Sequence, residues 1–278
     1  MKNKTWLITG AARGLGLSIA KSALSAGYNV VATARDTDSL KSKLGNKNQH
    51  LLILPLDVTN GTQIAATIAA ACDHFGGIDV LINNAGYGLL GAFEQTQKTQ
   101  IEHQFSTNVF GVFEMCRAVL PLMRKKRSGH IFNISSIAGV NAMAGASVYS
   151  ASKFAVSGFS EALAQEVAGF GIKVTAVQAG AFQTDFLDPS SAHFADQGIE
   201  DYSAFSEKIV AASNANNHQQ KGDPDKLAQA LLTLSKDAEA PPRFLAGSDA
   251  INMANSRLAT LGAELQSWEN LSRSTDNG

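Results

Sequence analysis

Several things are scarce in this chain of 278 residues, and each scarcity removes a class of protein. There are two cysteines, Cys72 and Cys116, far apart and inside apolar helical stretches. That excludes a disulfide framework and a thiolate metal site, and it predicts reduced, buried thiols with no metal bound. Charge of one sign is also missing: Lys and Arg number 23 against 24 Asp and Glu, so no general attraction to nucleic acid is expected. No apolar run reaches the roughly 20 residues of a membrane span. The short stretch Trp6 to Ile8 is too brief for a secretory core, so a cytoplasmic location is the expectation. An apolar content of 45 % excludes disorder and allows a sizeable core.

What the chain has is alternation. Short aliphatic and β-branched runs occur at Thr5 to Thr9, Asn29 to Ala34, His50 to Leu54, Asp79 to Ile82, His130 to Ile134 and Lys173 to Val177, with a last one at Arg243 to Ala246. Between them lie Ala- and Leu-rich helical segments, among them Leu15 to Ala26, Gln63 to Phe75, Gln100 to Met123 and Val148 to Ala168. Strand and helix in turn predict an α/β fold: a doubly wound, Rossmann-type parallel sheet with helices on both faces. One domain is expected over residues 1–271, with a substrate lid at about 182–222 and the polar stretch Asn214 to Gly222 as the best candidate for a mobile lid. Residues 272–278 have little to bury and are expected to fray.

The first strand ends in Thr9-Gly10-Ala11-Ala12-Arg13-Gly14-Leu15-Gly16, and a helix follows at once. In that context a glycine-rich turn presents backbone N–H groups to a pyrophosphate, and a Cβ would block the approach. The second strand ends in Ala34-Arg35-Asp36. A guanidinium there suits a 2′-phosphate, a carboxylate suits free ribose hydroxyls, and the two readings compete. Arg35 and Arg13 together favour NADP(H), with Asp36 left to cap the next helix, while Asp36 as a ribose ligand would favour NAD(H). Tyr149 and Lys153 are four apart on a helix and so share a face. A free tyrosine titrates near ~10, and a neighbouring cation brings its phenol toward the working range. Ser136 follows the strand ending in Ile134, at the sheet edge where ligands of such folds bind.

Taken in order, Thr9-Gly10-x-x-x-Gly14-x-Gly16, Asp57, Asn83-Asn84-Ala85-Gly86, Asn108, Ser136, Tyr149 and Lys153 resemble the short-chain dehydrogenases/reductases over about residues 5–185. The resemblance implies an NADP(H)-dependent oxidoreductase moving hydride between nicotinamide and a carbonyl or secondary alcohol. In it Tyr149 is the general acid or base, Ser136 polarises the carbonyl oxygen, Lys153 binds the nicotinamide ribose and lowers the tyrosine pKa, and Asn108 holds a water. The cofactor is expected along Gly10, Arg13, Gly14, Leu15, Gly16, Arg35, Asp57, Val58, Asn84, Ala85, Gly86, Gly180, Phe182 and Thr184, besides Tyr149 and Lys153. One element departs: Ala179-Gly180 stands where the family usually has Pro-Gly, which questions the rigidity of that loop. Apolar residues Leu89, Leu90, Phe93, Val140, Met143, Phe182, Phe186 and Phe194 point to an apolar small-molecule substrate. The resemblance further implies a homodimer or homotetramer built on the helices of Asn108 and Tyr149. Two rivals stay open, an NAD-dependent alcohol dehydrogenase and a non-catalytic NADP(H)-binding sensor.

Overall fold

The computed structural model describes residues 3–45, 48–189, 191–196 and 198–277, so the parts of the expectations that fall on residues 1, 2, 46, 47, 190, 197 and 278 lie outside the described residues. All seven anticipated strands form: β1 (Thr5–Ile8), β2 (Asn29–Ala34), β3 (Leu51–Pro55), β4 (Val80–Asn83), β6 (Gly129–Ile134), β7 (Ile172–Ala179) and β9 (Arg243–Ala246). They make one parallel sheet in the order β3-β2-β1-β4-β6-β7-β9. Two short strands, β5 (Gly88–Leu90) and β8 (Ala192–Phe194), pair apart from it in parallel. At three residues each they carry no readable periodicity, and only the tertiary fold brings them together.

Side chains alternate across a strand, so each central strand feeds two cores. Trp6, Ile8, Val80, Ile82, Phe132 and Ile134 point into one, against α1 (Gly14–Ser25) and α8 (Pro224–Lys236). Leu7, Val31, Leu81, Ile131 and Val174 point into the other, against α3 (Gly61–Phe75), α5 (Gly111–Lys126) and α6 (Ser147–Val167). The runs are apolar on both faces because helices cover both. Truncating Leu81 or Ile82, both fully buried, to Ala is expected to cost about 2–5 kcal/mol. The remaining helices are α2 (Thr37–Leu44), α4 (Lys98–Phe105), α7 (Ser203–Asn216) and α9 (Ser248–Arg273).

Strand order reverses between β1 and β4, which leaves a crevice at their carboxyl ends. Three local expectations change. The single helix anticipated over Gln100 to Met123 is α4 and α5 joined by a π-helical turn, Ser106–Phe110, with Asn108 inside it. Asn214 to Asn216 end α7, and Ser272 and Arg273 belong to the last turn of α9, where Arg273 pairs with Glu269 at 2.8 Å. Cys116 is buried, but Cys72 is only half-buried.

Candidate active site

The turn after β1 is held from within. Gly10 and Gly14 have φ of +65° and +51°, the region where a side chain is strained. Gly16 is needed for a different reason than ligand approach: a Cβ there would lie 2.4 Å from the Gly10 carbonyl oxygen and 2.5 Å from Asn84 Nδ2. Asn84 clasps the loop, its Nδ2 donating to the carbonyls of Thr9 (2.9 Å) and Gly10 (3.0 Å). The Thr9 hydroxyl accepts from the backbone of Asn84 (2.9 Å) and Ala85 (3.0 Å), tying β1 to β4 across the crevice. Arg13 is the half-buried residue preceding α1, and Leu15 packs against the α1/α8 core.

At the outer end of the crevice Arg35 is exposed, and Asp36 caps α2 by accepting from the Asp38 N–H at 2.9 Å. Lys43 on α2 reaches back to the Ala12 carbonyl at 2.7 Å, adding a cation to this end. Asp57 follows β3 and accepts from the Thr59 N–H (2.9 Å) and hydroxyl (2.7 Å). Burial opposes its charge, yet those bonds and the nearby Arg35 and His103 leave its carboxyl below the ordinary value. Val58 is buried against Gly111, where a Cβ would come within 2.7 Å of it.

The turn after β6 and the start of α6 bring the remaining groups together. Tyr149 and Lys153 are both buried, and the Lys153 ammonium lies 5.8 Å from the tyrosine ring centroid. Lys153 Nζ donates to the Ile134 carbonyl at 2.8 Å. Tyr149 hydrogen-bonds with Ser136, whose Oγ also accepts from the Ala138 N–H at 3.1 Å. Burial pushes the phenol up to about 12, with the Ser136 bond pulling the other way, and burial draws the ammonium down to about 8. The buried Asn108 amide is committed. It donates to the Tyr87 carbonyl (2.9 Å) and to Ser152 Oγ (3.4 Å), and accepts from the Tyr87 N–H (3.1 Å). Its carbonyl oxygen would be 3.1 Å from a Cβ on Gly86.

The loop after β7 closes the far side. Gly180 donates to the Ala246 carbonyl at 2.9 Å, and Ala181 donates to Asp249 Oδ2 at 2.7 Å. A Cβ on Gly180 would sit 2.2 Å from Asp249 Oδ1. Asp249, in the first turn of α9, therefore braces this loop where proline is absent. Phe182 faces the α1/α8 core and bridges to Gly222, while Thr184 stands over Gly14, its methyl 3.4 Å from where a Cβ would be. Of the expected substrate residues, Leu90 and Phe186 pack with Tyr149, Ala138 and Ala146. Phe194 is half-buried on β8, and Leu89 is buried in β5. Val140 packs beneath α9, and Phe93 and Met143 are exposed. A separate cavity of about 450 Å³ lies at the opposite edge of the sheet, lined by Lys4, Asp79, His130 and Lys173, and contains none of these groups.

A family model described as short chain dehydrogenase matches residues 4–194. The chain belongs to that family. An oxidoreductase of Botryotinia fuckeliana is 38 % identical over 271 residues, covering 97 % of this chain and 98 % of its own. A 3-ketodihydrosphingosine reductase of Bacteroides thetaiotaomicron is 40 % identical over 89 % of each chain. The crystal structure of a short-chain dehydrogenase from Streptomyces avermitilis is 39 % identical, covers the whole of both chains and superposes with a TM-score of 0.90. This short-chain dehydrogenase is thus an oxidoreductase acting on CH–OH or C=O groups with a nicotinamide cofactor. Its crevice fits one: two glycines at positive φ open the turn, and the N-terminus of α1 faces the point where strand order reverses. Sequence reasoning missed Lys43, Asp249 and the Tyr87 backbone. Each acts through a contact between segments distant in the chain, which no local pattern announces.

Proposed function

We propose that this dehydrogenase uses NADP(H) to interconvert an apolar ketone or aldehyde with its secondary or primary alcohol, with Tyr149 carrying the proton. One observation carries the reading: Tyr149 is buried, bonded to Ser136 and one helical turn from Lys153, at the carboxyl edge of the sheet beside the glycine turn. Gly10, Gly14, Leu15 and Gly16 would hold the pyrophosphate on backbone N–H groups. Asp57, Val58, Asn84, Ala85 and Gly86 would line the adenosine side, and Gly180, Phe182 and Thr184 the nicotinamide side. When bound, the nicotinamide supplies or accepts the hydride.

The rest is done by the chain. Ser136 donates a hydrogen bond to the substrate oxygen, and Tyr149, kept protonated by burial, gives its proton to that oxygen in reduction. Lys153 anchors the nicotinamide ribose and stabilises the phenolate as it forms. Asn108 has both amide hydrogens engaged, so it positions the Tyr87 segment, and the π turn around it frees helix main chain to hold a relay water. Arg13, Arg35 and Lys43 gather cations where a 2′-phosphate would lie, and Asp36 is occupied as a helix cap. Leu90 and Phe186 beside Tyr149 favour an apolar substrate, covered by residues 182–222 as a lid. A cytoplasmic homodimer or homotetramer completes the proposal.

The test is oxidation of NADPH and of NADH against a panel of aldehydes, ketones and quinones, beside the reverse panel of alcohols. A kcat/KM favouring NADPH is expected, and a preference for NADH would hand the ribose to Asp36. Tyr149→Phe should bind cofactor normally yet fail to turn over. Unchanged biological activity of that variant would establish a sensor instead.

A further inference from the structure

Helix α9 is held only at its base. Ala250 and Ala254 are buried against Ile137, with Val140, Leu245 and Met253 around them. From Asn255 to Arg273 no residue is buried. A lone helical arm of that length is marginal in water. This one also contains Ser256, Thr260, Gly262, Ser267 and Asn270, all weaker helix formers than Ala or Leu. Its apolar residues Ile251, Leu258, Leu261, Leu265 and Trp268, with Ala254, follow one another at alternating intervals of three and four, the a and d positions of a heptad repeat. Leu258, Leu265 and Trp268 are 66 %, 72 % and 63 % exposed. None of the described residues of the same protomer covers them.

Charge decides what does. A helix lying on lipid keeps its cations on the face opposite the apolar one. Here that face is Ser256, Ala263, Ser267 and Asn270, with one cation at its far end, Arg273, paired to Glu269 at 2.8 Å, whereas Arg257, Glu264 and Glu269 flank the stripe at g and e positions. Those are the positions that face a partner helix. Arg257 and Glu264 sit one heptad apart on the same edge with opposite sign, which makes that edge complementary to itself in an antiparallel pair.

We propose that α9 pairs with α9 of a second copy of this chain as an antiparallel two-helix coiled coil. The two-fold axis falls at the level of Ala259 and Thr260. Leu258 packs on the partner's Leu261, and Trp268 covers the partner's Ile251. Leu265 ends the seam beside the partner's base, where Ala254 is already covered by its own Ile137. Arg257 then faces the partner's Glu264, twice by symmetry, in place of the 3.8 Å contact the two make within one helix. The pairing is isologous and stops at two copies.

Light scattering on the purified full chain at micromolar concentration tests it. Leu258→Asp combined with Leu265→Asp should halve the mass and, because both positions are exposed in the single chain, leave each chain folded by circular dichroism. Arg257→Glu alone and Glu264→Arg alone should each weaken association, whereas an equal mixture of the two variants should re-associate about tenfold more tightly than either by itself. Repair within one helix cannot produce that mixture effect. An unchanged mass in the double aspartate variant overturns the proposal and assigns any assembly to another face. So does a mixture no tighter than its components. A wild type with the mass of one chain that binds phosphatidylcholine vesicles through Leu258 and Leu265 also overturns it, in favour of a lipid surface.

Discussion

The carboxyl ends of β1, β4 and β6 and the outer turns of α9 treat polarity in opposite ways. At the strand ends, polar groups go inside and are paired: Lys153 on the Ile134 carbonyl, Asn108 on Tyr87, Tyr149 on Ser136, Asn84 on the Thr9 and Gly10 carbonyls. Along α9, leucines and a tryptophan stay outside with none of the described residues of their own protomer over them. A buried polar group is tolerable only when its hydrogen bonds fix it, and that same fixity is what directed proton movement needs. An exposed apolar stripe is tolerable only when something else removes it from water. One region is completed by the chain itself, the other by a partner.

The contrast breaks most sharply at Tyr149. Tyr149→Phe removes the proton and keeps the ring, so kcat should fall on the order of 10²–10⁴-fold, with cofactor affinity by fluorescence titration nearly unchanged. Next comes the charged rim: Arg35→Ala should raise KM for NADPH about tenfold or more and leave KM for NADH in place, since the lost interaction is with the 2′-phosphate alone. Smaller still is the loop brace. Gly180→Ala forces a Cβ to 2.2 Å from Asp249 Oδ1 and should weaken cofactor binding by about 1–3 kcal/mol. Adding Asp249→Ala removes the clash, so the double variant should bind better than Gly180→Ala alone. Independent, additive losses would show that the brace does not position this loop.

The least effect is expected on stability. Burial favours the neutral amine of Lys153, so its folded value of about 8 lies below the ordinary lysine value of 10.5. Between those two pH values the unfolded chain holds more protons, so this group's contribution to stability rises with pH across that window. Denaturant titrations at pH 7 and above should show a rise on the order of 1–2 kcal/mol that Lys153→Met lacks. Carbonyl reduction should decline over the same range as the ammonium that steadies the phenolate is lost.

How much of this was legible from residue order follows from how local each cause is. The seven sheet strands and most helices could be read, because buried strands flanked by helices on both faces must be short apolar runs, and each run carries its own signal. The glycine turn, Ser136, Tyr149 and Lys153 could be read because each lies at a strand end or one turn along a helix. The break at Asn108 was not legible as a π turn. That amide is pulled onto the Tyr87 backbone by a contact spanning 21 residues, which helix periodicity does not record. Nor was the division of the apolar set: Leu90 and Phe186 meet Tyr149, whereas Val140 turns to α9 and Phe182 to the opposite core, although all four look alike along the chain.

The sequence by itself determined the alternation of elements, the place of the phosphate turn and the spacing of Tyr149 and Lys153, since each follows from backbone geometry over a few residues. Only the tertiary structure decided why Gly16 and Gly180 must be glycines, that Asp249 stands in for a missing proline, and that the apolar stripe of α9 is left uncovered. Those facts depend on which distant segments come within a few ångströms of one another. Distance in the chain says nothing about that until the sheet is assembled.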